Sequence, residues 1–147
     1  MKLKRTANEI SHFRLGLGLG TTIMGFMLYL LGVDPGLFGM DRSPVMGFVQ
    51  LAVLLIGLAF ICLGGYITLN ALWNGSEKSI LADIGLRLVA TGYLVAVASG
   101  MADILGFGNH PLPKIPYFGP LQAIGVLIGE VAIVVGFLMI IPYPRKR

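Results

Sequence analysis

Charge is what this sequence has least of. Aspartate, glutamate, lysine and arginine together make up 12% of its 147 residues, about half the share of an ordinary soluble domain. Between Arg42 and Glu77 there is none at all. So few ionised groups cannot clothe a water-facing surface, which excludes a soluble domain of useful size. Cysteine occurs once, as Cys62 inside an apolar run, so the chain forms no internal disulfide and the thiol is expected to pack as a small hydrophobe. The two histidines, His12 and His110, stand far apart with no cysteine or carboxylate cluster beside either, and no metal site is expected. No serine or cysteine has a base at an activating spacing. No catalytic residue, cofactor or enzymatic activity is therefore expected.

What the chain does have is hydrophobic length. Apolar residues make up 56% of it, mean hydropathy is +0.84, and the runs match the ~20 residues a bilayer-spanning helix needs. Four spans are predicted, at about Leu15–Val33, Met46–Ala71, Ile80–Met101 and Leu121–Ile141. The fold class is an all-α membrane protein of four transmembrane helices, with residues 1–147 as a single four-span domain. The third span is charge-free only from Leu88 to Ala102. It crosses if Asp83 and Arg87 lie near one interface, where long side chains snorkel, and Asp103 lies near the other. Ser43-Pro44 and Gly119-Pro120 read as N-cap and first helical residue before the second and fourth spans. Asn74-Gly75 in "NGSEKS" reads as a tight turn, and Pro142 and Pro144 stop the last helix.

Basic residues set the expected orientation. Lys2, Lys4, Arg5, Arg14, Lys78, Arg87, Arg145, Lys146 and Arg147 fall at the termini and the middle connection, against Arg42 and Lys114 in the other two. Nine against two predicts cytoplasmic termini in the plasma membrane; nucleic acid is not an expected partner. The amino terminus resembles a signal peptide, but its apolar run is 19 residues long with no small-x-small cleavage site after it, so retention is expected.

The chain repeats itself. At an offset of 72, Gly47, Gln50, Leu55, Ile56, Gly57, Ile61 and Gly64 meet Gly119, Gln122, Leu127, Ile128, Gly129, Ile133 and Gly136. The first and third spans agree more faintly at an offset of 69, "GLGLGTT" against "GLRLVAT". Duplicated parallel hairpins, in halves of about 1–74 and 75–147, are expected, related by a pseudo-two-fold axis along the membrane normal.

One residue breaks the apolar run "GVLIGEVAIVVGFLMI". Glu130 falls about 16 Å from Gly119 and about 18 Å from Pro142 along a helix, at the bilayer midplane. A carboxylate there costs at least ~2.5 kcal/mol, and such residues are often functional. Gly125, Gly129, Ala132 and Gly136 form a narrow stripe for close helix packing, and Glu130 projects roughly 130° away from it, among Val126, Ile133 and Phe137. It must face another neighbour. Three roles compete: a neutral acid bonded to a nearby hydroxyl or carbonyl, an ion pair with Arg87, or a proton- or cation-binding group. Asp83, one turn from Arg87, is the cheaper partner for that arginine. The candidate intramembrane functional residues are Glu130, Arg87 and Asp83, and the candidate packing residues are Gly57, Gly64, Gly125, Gly129 and Gly136. "GLGLG" at Gly16 to Gly20, with Thr21, Thr22 and Gly25, follows no strand and reads as a packing face rather than a nucleotide loop. Trp73, Tyr117, Phe118 and Tyr143 read as interface anchors.

The duplicated hairpin, the glycine-rich first span and the lone glutamate in "GEVAIVVG" resemble the duplicated proteolipid subunits of rotary ATPases. That resemblance implies that Glu130 would bind a transported proton or sodium ion. The chain departs from the family in lacking a continuous glycine ladder along both hairpins and in its charge bias, which sets the termini on the opposite side. From the residues themselves, the expected function is that of a small non-enzymatic membrane protein, an oligomeric or accessory subunit. Its expected partners are the lipid bilayer and further copies or a larger membrane complex. The alternative is a proton- or cation-coupled transporter or channel using Glu130.

Overall fold

A computed structural model describes residues 7–40, 46–108 and 118–143, with side chains from residue 12 onward in the first helix. It holds four long helices, α1 (Ala7–Val33), α2 (Phe48–Leu72), α3 (Ile80–Gly100) and α4 (Pro120–Ile140), and no strand among the described residues. All four are long and apolar enough to cross a membrane. Each also keeps large apolar side chains half-exposed or more, such as Leu19 (53%), Ile56 (51%), Leu94 (67%) and Val134 (58%). In water these would form a patch far beyond what a soluble monomer shows; hydrocarbon is the medium in which they cost nothing.

The helix ends follow local chemistry. Pro120 opens α4 behind Gly119, whose N–H donates to Oε1 of Gln122 at 2.8 Å. Ser79 caps α3 by accepting from the N–H of Ala82 at 3.1 Å. Asn74 and Gly75 both take positive φ in the turn closed by Ser76 N–H on the Trp73 carbonyl, the hairpin-type turn that Asn-Gly favours. Ser43 and Pro44 lie outside the described residues, and α2 opens later, at Phe48 behind Gly47. A short 3₁₀ turn, Pro35–Phe38, follows α1, held by Asp34 Oδ1 on the Gly36 N–H at 3.0 Å; sequence patterning had not signalled it.

Two antiparallel hairpins result, α1 with α2 and α3 with α4, and glycine sets how close their helices come. Gly18 faces Gly64, Gly25 faces Gly57, Gly85 faces Gly136 and Gly92 faces Gly129. In every one of these pairs, a methyl carbon placed on either glycine would stand within 2.9 Å of its partner's carbonyl oxygen. Helices at that separation give up side-chain volume for backbone contact and Cα–H···O interactions. Gly125 meets Ser99 farther along the α3–α4 seam. The packing glycines are thus consumed inside the hairpins, and they leave no surplus face on α2 or α4.

Between the hairpins the packing is of a different kind. Leu51, Leu54, Leu55 and Leu58 of α2 meet Val89 and Ala96 of α3 and Val126, Ile133 and Ile140 of α4 in one buried cluster. Phe137 of α4 lies over Gly65 of α2, and Leu51 of α2 and Val126 of α4 both lie beside Gly100, so α2 and α4 run in the same direction. Among the described residues the backbone of α1 approaches no long helix other than α2.

Candidate functional site

Glu130 is the eleventh of the 21 residues of α4, about 15 Å from either end. Because the glycine stripe of α4 is turned to α3, Glu130 is turned to the first hairpin. There the hydroxyl of Tyr29, on α1, donates to Glu130 Oε1 at 2.8 Å, in a part-buried setting. The tyrosine is placed by the close approach of its own helix: a methyl carbon on Gly57 would strike the Tyr29 backbone. A phenol with a rigid ring reaches α4 without the rotamer loss a lysine would incur.

Two more aromatic donors cross the same seam. Tyr93 Oη of α3 donates to the Leu55 carbonyl of α2 at 3.3 Å, and Trp73 Nε1 donates to the Ile140 carbonyl at the end of α4 at 2.8 Å. Among the described residues these three aromatic donors and the apolar packing join the hairpins, and of their three acceptors only Glu130 is a side chain.

Arg87 and Glu130 are not brought together. Arg87 Nη2 sits 3.3 Å from Asp83 Oδ2, and both side chains are largely exposed, 79% and 59%. The pair lies on the outward face of α3 near its start, with the arginine reaching back toward the helix end as a snorkelling side chain does. Asp103, at the other end of α3, is buried in a crevice at the loop end of the bundle together with Met46, Phe118 and Gln122. A larger groove lies at the opposite end, beside the α2–α3 connection. Neither is lined by Tyr29 or Glu130. Among the described residues no three histidine, cysteine or carboxylate side chains come together to hold a metal ion.

Tyr29 is the residue that sequence reasoning missed. Its signal is present: Gly18, Thr22, Gly25, Tyr29 and Gly32 share one helical face, and Tyr29 is the one bulky member of a stripe of small residues. Comparison with protein-family models, with curated proteins and with solved structures finds no match, so the reading of the site stands on its geometry.

Proposed function

We propose that this chain is a non-enzymatic, multi-pass protein of the plasma membrane with both termini in the cytoplasm, acting as an oligomeric or accessory subunit. The observation that carries this reading is the Tyr29–Glu130 bond. It gives the intramembrane acid a structural task, joining the hairpins, and neither of the two crevices described above is lined by it. Orientation follows from the nine-to-two distribution of basic residues. The face available to another helix is on α1, where Gly16 and Gly20 have nothing within 4 Å and Ile23 and Met27 continue the same stripe, about half exposed.

The two hairpins are, in this reading, repeats. The pairs Gly25–Gly57 and Gly18–Gly64 of the first match Gly92–Gly129 and Gly85–Gly136 of the second, and Gly18–Thr68 matches Gly85–Ile140. On this pairing α2 would correspond to α4 at an offset of 72 and α1 to α3 at 67, where the sequence alone suggests 72 and 69. Glu130 then corresponds to Leu58 and Tyr29 to Ala96, two residues of the buried apolar cluster. The polar link between the halves therefore occurs once, with an apolar pair at the equivalent place.

The test is purification in mild detergent with measurement of mass and co-purifying proteins, alongside proton flux in liposomes. A defined oligomer or complex, disrupted by Gly20→Ile and unaffected by Glu130→Gln, is the expected result. Proton or cation flux abolished by Glu130→Gln would replace this reading with the transporter.

A further inference from the structure

The α2–α3 connection forms, with the residues that follow α4, a groove of about 570 Å³. It lies where α2 and α4 end and α3 begins, at the level where a spanning bundle meets lipid headgroups. Its walls combine two aromatic side chains, Trp73 and Tyr143, one carboxylate, Glu77, two hydroxyls, Ser76 and Ser79, and apolar surface from residues such as Leu81. The Trp73 ring is fixed by its Nε1–H bond to the Ile140 carbonyl. The nearest basic residue in sequence, Lys78, is turned away: its Nζ stands over the ring of Tyr66, 5.3 Å from the centroid. Glu77 is exposed and forms no ion pair among the described residues. A groove with aromatic faces and one carboxylate suits a cation. The hydroxyls beside it can donate to phosphate oxygens, and the apolar wall can meet the start of an acyl chain.

We propose that this groove binds the zwitterionic headgroup of an ammonium phospholipid, with the ammonium at Glu77, Trp73 and Tyr143 and the phosphate at Ser76 and Ser79. The proposal rests on the membrane reading of the chain and is independent of what Tyr29 and Glu130 do.

Trp73 is the one tryptophan in the sequence, so its emission reports on the groove directly. The full-length protein in a non-ionic detergent is titrated with short-chain phosphatidylethanolamine or, separately, phosphatidylglycerol. The expected result is a saturable emission change with phosphatidylethanolamine and none with phosphatidylglycerol at the same concentrations. Glu77→Gln, at an exposed position that leaves thermal unfolding unchanged, should weaken the response about tenfold. An equal response to both lipids, an unaltered titration in Glu77→Gln, or no response to either overturns the proposal. So does a response that emerges only after removal of Arg145, Lys146 and Arg147, since the chain's own basic end would then be the occupant.

Discussion

Tyr29 on α1 and Glu130 on α4 share a hydrogen bond of 2.8 Å although the backbones of their helices do not approach one another. The contact is made by the side chains alone. It ties the first helix of one hairpin to the second helix of the other, so the acid that breaks the last apolar run also registers the two halves.

Removing either partner should therefore expose the other. Tyr29→Phe leaves the Glu130 carboxyl without its donor, and Glu130→Leu leaves the phenol without its acceptor. Each should cost about 1–2 kcal/mol. Glu130→Gln retains an acceptor and should cost less than about 0.5–1 kcal/mol. The double variant Tyr29→Phe/Glu130→Leu should recover most of the loss, because the equivalent places hold Ala96 and Leu58 in a buried apolar cluster. Thermal unfolding of the four purified proteins measures this, and strictly additive losses would sink the idea.

Two glycines in one turn of α1 should respond in opposite directions. At Gly16 an added methyl group meets nothing within 4 Å, whereas at Gly18 it meets the Thr68 backbone nitrogen at 2.6 Å. Gly16→Ala should raise stability by up to about 1 kcal/mol, through helix propensity. Gly18→Ala should lower it by about 1–3 kcal/mol, because two backbones must separate. In α4, Gly129→Ala should lower stability in the same way as Gly18→Ala, since an added methyl group there meets the carbonyl of Gly92.

Arg87 should prove nearly silent. Its partner Asp83 sits one turn away on an exposed face, and such pairs contribute about 0.3–0.5 kcal/mol. Arg87→Met should change thermal stability by no more than that, and it should give no rescue when combined with Glu130→Gln. Rescue would mean that the arginine reaches the acid after all.

Topology is checked with reporters. Fusions at either terminus should be active only inside the cell, and one inserted after Asp41 only outside, as the distribution of lysine and arginine requires. A carboxy-terminal reporter active only outside would reverse the bundle.

Span positions were legible because hydrophobic length is a one-dimensional property: the second, third and fourth predicted spans agree with their helices to within two residues, whereas α1 begins at Ala7, eight residues before the first predicted span. The glycine stripe of α4 and the exclusion of Glu130 from it were legible too, since both depend only on helical period. What the stripe packs against was not, because the period of one helix says nothing about its neighbour. Gly125, Gly129 and Gly136 could have faced another copy, and they face α3. Val126 shows the same limit: the period sets it beside Glu130 but does not say that the face is buried between the hairpins. Tyr29 escaped notice because its meaning depends on a residue 101 positions away.

The unequal seams bear on how the chain is made. Within a hairpin, helices meet backbone to backbone and tolerate no change of register; between hairpins, larger side chains interdigitate around three hydrogen bonds. If the chain is the membrane protein proposed above, each hairpin would leave the insertion machinery as a finished unit, the first before the second is synthesised, and the two would find each other afterwards by lateral diffusion. Two separately translated polypeptides, divided within the connection after Gly75, should accordingly reassemble in one membrane into the same four-helix molecule.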